Sequence, residues 1–287
     1  MYWITGPYLK SNICFIIRQG VVVKIGVCIK PVPNSDARIA VAGSGDGVDK
    51  SVYSKLMLNT YDECAIEAAV QLKEKGIAEE VVLFSVCSLD KGTKGQIVNA
   101  LAKGADRAIV VENTEFASAD CLGISTILAA LAKKEEVEIL LCGKQSMDGD
   151  NAQVPSMLGE LLDWATVTVV SSLEAEGSEF TAHKDVGSGS TAVVKGSFPA
   201  VFSCDKNLNK PRKPNMKAKM AAKKKTIEQL TLGDLDVAED AVTNALVSEV
   251  NWTLPPERGE CKFIDAGNVE GAVSELLSLL KNEAKVL

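Results

Sequence analysis

The 287-residue sequence contains one histidine, His183, and its eight cysteines are spread along the chain without a Cys-x-x-Cys pair. Zinc sites use closely spaced Cys and His ligands, so none is expected. A Ser-His-Asp type triad would depend on His183, which lies in a polar, strand-like stretch, and a structural role is expected for it. We expect the cysteines to be reduced and mostly buried, as in cytosolic proteins.

Long apolar runs are also missing, and no membrane span is predicted. The longest apolar stretch, residues 21–29, is interrupted by Lys24, whereas a spanning helix needs about 20 apolar residues. The apolar patch at residues 13–17 is short, and no small-residue cleavage site follows it, so it does not predict a secretory signal. One hypothesis is that residues 1–20 are an extension from an upstream start site. Mass spectrometry of the native N-terminus tests it.

Short apolar runs alternate with helical patterns over the first half of the chain, and 46% of all residues are hydrophobic. The predicted strands are Val22–Ile29, Val81–Val86, Ala108–Val111 and Val137–Cys142, and the predicted helices are Asp62–Lys75, Gly92–Lys103 and Asp120–Lys133. Buried strands separated by helices predict an α/β fold with a mostly parallel sheet sandwiched by helices. Ligands in such folds bind outside the carboxyl ends of the strands.

The second half of the chain has a different pattern of apolar and polar residues. A helix is predicted at residues 151–162, and a closing helix at 269–281. Gly/Ser turns separate four runs that predict a small antiparallel extension: Val167–Ser172, Glu179–His183, Ala192–Lys195 and Ala200–Ser203. We therefore expect an α/β nucleotide-binding domain over residues 21–204, a basic segment over 205–228 and a C-terminal arm over 229–287.

Charge is distributed unevenly in this acidic protein, whose formal net charge is −7. Residues 206–225 carry nine Lys/Arg and no carboxylate. Such a segment predicts an exposed surface arm that meets a partner. Nucleic acid is not the expected partner, because the segment has no aromatic residue to stack on bases and the rest of the chain is acidic.

A nucleotide site is suggested where the strand at residues 137–142 runs into Gly143. A glycine permits a sharp turn, and Asp150 or Asn151 would cap the following helix, whose free N–H groups suit a phosphate. Asp148 and Asp150 would hydrogen-bond ribose or loop amides. From chemistry alone, an ordinary strand-to-helix loop remains an alternative. Residues 43–47 (Gly-Ser-Gly-Asp-Gly) lack the spacing of a dinucleotide fingerprint and predict a turn.

Several sequence blocks, in order along the chain, resemble electron transfer flavoprotein beta subunits. The blocks are Cys28–Val32, Asn59–Ala69, Gly104–Arg107, Gly-Lys-Gln-x-x-Asp-x-Asp-x-x-Gln at Gly143–Gln153, Leu162–Trp164, and Leu-Asn-x-Pro-Arg at Leu208–Arg212 followed by the lysine-rich run. The resemblance implies an adenine nucleotide alpha hydrolase-like fold. It also implies a heterodimeric electron carrier without substrate chemistry of its own. Its partner would be an alpha subunit that holds most of the redox FAD, while this chain buries an AMP.

The resemblance also implies site residues. The implied nucleotide contacts are Cys28, Asn59, Thr60, Tyr61, Asp62, Val86, Gly143, Lys144, Gln145, Ser146, Met147, Asp148, Gly149, Asp150, Asn151, Ala152, Gln153 and Val154. Tyr61 would form an apolar wall against the shared flavin, although a core tyrosine remains an alternative. The implied contacts with acyl-CoA and related dehydrogenases are Met216 as an anchor, together with Arg212, Lys213 and Lys217. Electrons would then pass to a quinone oxidoreductase, in the bacterial cytoplasm or the mitochondrial matrix.

Two departures from the family pattern concern the nucleotide. Thr60 stands where proline is common. The stretch Asp148–Val154 resembles electron-bifurcating members, which hold a second FAD in place of AMP and oxidise NADH. Pro155 directly follows it, however, where those members usually have Gly-Pro, and the lysine-rich pattern resembles the AMP group. AMP is therefore expected, with a second FAD as the alternative. A free-standing adenine-nucleotide sensor, homodimeric and with exchangeable ATP, leaves the basic segment unexplained.

Overall fold

A computed structural model describes residues 23–34, 36, 38–45, 47–49, 51, 55–112, 119–248, 250–257, 259–264 and 267–287. Residues 1–20, where an extension was predicted, lie outside this range. The described strands are β1 Lys24–Cys28, β2 Pro31–Pro33, β3 Leu56–Leu58, β4 Glu80–Val86, β5 Arg107–Val111, β6 Ile139–Gly143, β7 Ala165–Glu176, β8 Glu179–Gly187, β9 Ser190–Ser197, β10 Ala200–Cys204 and β11 Ile227–Leu230. The described helices are α1 Thr60–Glu74, α2 Lys91–Leu101, α3 Cys121–Lys134, α4 Val154–Leu162, α5 Met216–Ala222, α6 Asp240–Thr243 and α7 Val269–Asn282.

Nine of the described strands form one sheet in the order β11-β5-β4-β1-β6-β10-β7-β8-β9. Pairing is parallel from β11 through β7, and only β8 and β9 are added antiparallel. The central strand β1 has Val27 opposite Leu83 on one side and Leu141 on the other. This confirms the α/β class with a mostly parallel sheet. Strands β2 and β3 form a separate antiparallel pair.

Helices cover both faces of the parallel part. On one face, Ile66 of α1 and Ile97 and Leu101 of α2 are fully buried against the sheet. On the other, Ile127 and Leu131 of α3 are equally buried. Strands buried on both faces need continuous apolar runs, which explains why these strands were visible in the sequence.

Strand β10 corrects the predicted antiparallel extension. The sequence pattern assigned residues 200–203 to that extension, but β10 lies between β6 and β7 and is parallel to both. All five of its residues are buried, as expected for a central strand with helices on both faces. The antiparallel part is therefore the β7–β8–β9 meander, in which polar and apolar residues mix because one face is largely exposed.

Two smaller findings complete the comparison. Strand β11, which the sequence did not predict, follows the basic segment and forms the sheet edge beside β5. The described glycines of the stretch at residues 43–47 lie in a turn, as predicted, since an isolated antiparallel bridge joins Val41 to Val48 and the Ala42 amide donates to the Gly47 carbonyl.

Candidate functional site

The predicted nucleotide residues meet at the carboxyl edge of the sheet. Cys28 ends β1, Val86 ends β4 and Gly143 ends β6, and these three strands are adjacent. Sequence order runs outward from β1 to β4 on one side and to β6 on the other, so the chain reverses direction across the sheet at β1. Such a switch point leaves a crevice that ligands occupy in open α/β sheets. The first turn of α1 lies against it.

Gly143 lets the first turn of α1 approach the end of β6. A methyl group at this position would overlap Oδ1 of Asp62 and lie 2.9 Å from Cβ of Tyr61. Asp62 is buried and held by two hydrogen bonds, and Cβ of Tyr61 is fixed to the backbone of α1, so neither can move aside without the helix. A glycine is therefore required at this position, because the end of β6 and the first turn of α1 lie too close together for a side chain.

Asp62 is the buried charge of the site. Its side chain accepts hydrogen bonds from the Lys30 amide at 2.7 Å and from Nδ2 of Asn59 at 2.8 Å, and the residue is 4% exposed. Burial raises the pKa of Asp62 to about 7, although these hydrogen bonds and the positive charge of Lys30 act in the opposite direction. The carboxyl group of Asp62 thus ties the end of β1 to the start of α1.

The raised pKa of Asp62 predicts a pH-dependent stability. Between its ordinary pKa of 3.8 and about 7, the folded state holds the proton more tightly than the unfolded state. The stabilisation of the folded state by the raised pKa of Asp62 is therefore fully present below pH 4 and is lost as the pH rises through 7. Asp62→Asn removes this dependence, so between pH 5 and 8 the variant should gain about 2 kcal/mol relative to wild type. Urea unfolding at pH 5, 6, 7 and 8 measures this, with exposed Asp163→Asn as control. Parallel curves for wild type and Asp62→Asn would contradict it.

Asn59 carries the one polar atom in the described part of the site that is buried without a partner. Nδ2 of Asn59 donates to Asp62 and to the Gln145 carbonyl at 2.8 Å. Oδ1 of Asn59 is buried, yet no donor reaches it within the described chain. A buried acceptor without a donor costs about 1–3 kcal/mol. Oδ1 is therefore available to a hydroxyl or amino group of a ligand.

The loop between β6 and α4 forms the outer wall of the site. Lys30 bonds Asp148 at 2.8 Å, and Nε2 of Gln145 donates to Oδ1 of Asp150 at 2.7 Å. Burial raises the pKa of Asp148, but the charge of Lys30 and hydrogen bonds outweigh this, and the net pKa is lowered. Lys144 lies 3.6 Å from Asp205 at the base of the loop. Asp148, Asp150 and Asp205 are thus each bound by another side chain of the protein. An aspartate that is already bound in this way repels an anionic ligand less than a free one.

The start of α4 differs from the prediction. Neither Asp150 nor Asn151 caps it, because the helix begins at Val154 with Gln153 as N-cap and has no side-chain capping bond. Asp150 and Ala152 adopt positive φ angles of 50° and 52°, which carry the chain through a tight turn before the helix. Pro155 has no N–H group and the Met157 amide donates to the Gln153 carbonyl, so the N–H groups of Val154 and Ser156 are the ones left to water or a ligand.

The other predicted contacts line the same edge. Oγ1 of Thr60 lies 3.2 Å from Sδ of Met147, and Tyr61 is half-buried. Ser146 and Val154 are half-buried, whereas Gly149, Asn151, Ala152 and Gln153 are exposed. The structure thus brings the predicted set together at one edge of the sheet. Lys30 was missed by sequence reasoning, although its position directly after the first buried strand was an available signal.

The basic segment lies elsewhere, along α1 and the end of α2. Met216 begins α5 and is 73% exposed, and Lys213 and Lys217 are also exposed. Arg212, in contrast, pairs with Glu67 and Glu74 of α1. The exposed surface predicted from charge is therefore present, but its arginine is engaged within the chain.

The remaining candidates lie outside this site. His183 is exposed on β8. The cysteines of the described chain are free, and burial raises the pKa of Cys64 and Cys87 to about 11, which keeps these thiols protonated and weakly nucleophilic. Across the described ranges, no cluster of three or more His, Cys, Asp or Glu side chains could hold a metal ion. No helix in those ranges combines the length and apolar character needed to cross a membrane.

Comparison with known proteins gives a consistent result. Residues 52–235 match the sequence model of the electron transfer flavoprotein domain. The chain is 36% identical to the electron transfer flavoprotein subunit beta of Bradyrhizobium diazoefficiens, covering 92% of this chain and 100% of the relative. It is 35% identical to the mitochondrial subunit beta of Oryza sativa, covering 92% and 100%. It is 34% identical to subunit beta of Mus musculus, covering 91% and 97%. The chain therefore belongs to the electron transfer flavoprotein family, among its beta subunits.

Proposed function

We propose that this chain is the beta subunit of a heterodimeric electron carrier that binds AMP at the carboxyl edge of its sheet. It accepts electrons from acyl-CoA and related dehydrogenases and passes them to a quinone oxidoreductase. The observation that carries the proposal is Oδ1 of Asn59, a buried acceptor that no donor of the described chain reaches, at the carboxyl edge of the sheet beside Gly143. Its location is the cytoplasm of a bacterium or the mitochondrial matrix of a eukaryote.

The described residues fit an adenine nucleotide. Oδ1 of Asn59 can accept from a hydroxyl or amino group, and Gly143 leaves no side chain between β6 and α1. The start of α4 offers uncapped backbone N–H groups suited to a phosphate. Lys30 and Lys144 add positive charge near the loop, while their pairing with Asp148 and Asp205 keeps them in place. The nucleotide is assigned a structural role.

An alpha subunit accounts for the C-terminal arm. No residue of α7 is buried by the described chain, and its apolar residues Val269, Val273, Leu276 and Leu277 are exposed. These positions share one face of a helix. Leu246, Val250, Leu254 and Phe263 in the preceding segment are exposed as well. So much apolar surface indicates a protein partner, and the family relationship makes the alpha subunit the proposed one.

The redox chemistry belongs to a FAD shared with that subunit, which supplies electron transfer when bound. The proposed task of this chain is to place and shield the flavin. Tyr61 is half-buried on the first turn of α1 and offers an apolar ring that excludes water. No side chain of this chain is assigned a role as acid, base or nucleophile.

The second candidate is the beta subunit of an electron-bifurcating flavoprotein, favoured by the stretch Asp148–Val154. Nucleotide content separates the two. The heterodimer is purified, denatured, and its released nucleotides are identified by mass and quantified. One FAD and one AMP per heterodimer is the result expected here. Two FAD and no AMP would replace the proposal with the bifurcating function and make NADH a substrate.

Met216→Ala tests the dehydrogenase-docking role. An exposed methionine is an adaptable apolar anchor for several partners, and lysines around it favour acidic ones. The variant should slow reduction by an acyl-CoA dehydrogenase by about tenfold, as expected for loss of an interface anchor, with flavin content unchanged. Val193→Ala is the matched control, since Val193 is 59% exposed on β9. Equal rates for Met216→Ala and wild type would remove Met216 from the docking surface.

A further inference from the structure

Arg212 binds two carboxylates of the same helix. Its guanidinium donates to Glu67 through Nε at 2.8 Å and Nη2 at 3.0 Å, and to Glu74 through Nη1 at 2.6 Å and Nη2 at 3.0 Å. The Arg212 amide also donates to Oε2 of Glu67 at 3.0 Å. A bidentate guanidinium–carboxylate pair fixes orientation as well as distance. Both the backbone and the side chain of Arg212 are thus fastened to α1.

Burial makes this attachment stronger than an ordinary surface ion pair. Glu67 is 5% exposed and also accepts from Nε2 of Gln71. Burial raises the pKa of Glu67, but bonding to Arg212 outweighs this, and the net pKa is lowered. Lys103, 6% exposed, donates to the Arg212 carbonyl at 3.1 Å and pairs with Glu63 at 3.0 Å. Exposed ion pairs contribute little to the stability of a protein, whereas removing the cation that pairs with a buried carboxylate destabilises the folded state strongly.

The segment is held on both sides of this attachment. Before it, Nδ2 of Asn209 donates to the Cys64 carbonyl at 3.0 Å. After it, the Asn215 side chain caps α5, which packs on α2 through the buried Ala222. Lys225 then donates to the Leu101 and Ala105 carbonyls. Met216 therefore lies on a short helix fastened at both ends.

We propose that Arg212 is a positioning residue, which holds the basic segment on α1 so that Met216 is presented in one orientation. Its positive charge is neutralised by Glu67 and Glu74 and does not face the dehydrogenase. This inference rests on the proposed function, because it assigns the means by which the docking surface is kept in place. It replaces the direct partner contact that sequence resemblance implied for Arg212.

The test compares Arg212→Gln and Arg212→Lys in the heterodimer, with Lys94→Gln as a control that removes a charge from an exposed position on α2. An acyl-CoA dehydrogenase reduced by its substrate is the electron donor, and the heterodimer is the varied substrate. Arg212→Gln should raise KM by about fivefold to tenfold, in the range for a buried ion-pair network, with kcat little changed. Hydrogen exchange of amides 213–222 should accelerate while that of β1 and β6 stays unchanged. Reduction by dithionite, which needs no docking, should be unaffected.

Arg212→Lys distinguishes a role in positioning the basic segment from a direct contact with the dehydrogenase. A lysine keeps the charge but cannot bind two carboxylates at once, so KM should stay raised. Full recovery with lysine would overturn the positioning role, as would a normal KM and unchanged hydrogen exchange in Arg212→Gln. Met216→Ala is measured in parallel. If Met216→Ala raises KM and Arg212→Gln does not, this inference fails and the proposed docking surface stands. If neither variant raises KM, the docking surface fails, and the inference fails with it.

Discussion

Gly143→Ala should abolish nucleotide retention and destabilise the chain by about 3 kcal/mol, through overpacking and the disturbance of a buried polar network. The added methyl group would overlap Oδ1 of Asp62. It can be accommodated only if α1 moves away from β6. Such a movement would break the bonds that Asp62 receives from Lys30 and Asn59. It would also carry Asn59 away from the crevice.

Gly95→Ala is the matched control for this prediction. Gly95 lies in α2, and a methyl group there would meet nothing within 4 Å. Alanine in a helix is favoured over glycine by about 0.5–1 kcal/mol, so this variant should be slightly more stable than wild type. Urea unfolding measures stability, and mass spectrometry of released nucleotide measures retention. A Gly143→Ala protein with normal stability and nucleotide content would show that the contact between α1 and β6 is not needed for the site.

Introducing charge on the apolar face of α7 should separate the two subunits. In Leu276→Asp with Leu277→Asp, two carboxylates replace leucines that are 46% and 51% exposed in this chain. If the alpha subunit covers this face, each carboxylate would be buried without a partner. The cost of several kcal/mol weakens association by at least about 100-fold. Analytical ultracentrifugation measures the dissociation constant.

The stability of the chain itself supplies a second readout. Because α7 is not buried by the described chain, the double variant should unfold at the same urea concentration as the isolated wild-type chain. Ser278→Asp, on the opposite face of α7, is the control that adds charge without touching the apolar face. Normal association of the double variant would show that the partner subunit binds elsewhere.

The parallel part of the sheet could be predicted because its strands are buried on both faces. Val81–Val86 and Val137–Cys142 are apolar except for Ser85 and Glu138, and each is followed or preceded by a helical pattern. Strand β10 is just as apolar, yet nothing in its own residues records which strands it pairs with. Its place between β6 and β7 results from a chain crossover, which local patterns do not encode.

The candidate site was predicted through family resemblance and strand order, and local rules of residue type described its loop only in part. A capping role for Asp150 followed from its residue type. The structure instead gives Asp150 a positive φ and a bond from Gln145. The partners of Asn59 and Asp62 could not be inferred, because Lys30 and Gln145 are distant in sequence.

The sequence by itself determined the α/β class, the position of the loop after β6, the family and the concentration of positive charge between residues 206 and 225. These properties depend on apolar period, residue type and composition, which are local. Only the tertiary structure decided that Arg212 is neutralised by Glu67 and Glu74, that Asp62 is a buried acid, and that the described chain leaves the apolar face of α7 uncovered. Each of these properties depends on which surfaces the folded chain brings together. Arg212 and Glu67 are 145 positions apart in the sequence, and a local sequence pattern contains no information about burial or charge pairing over such a separation.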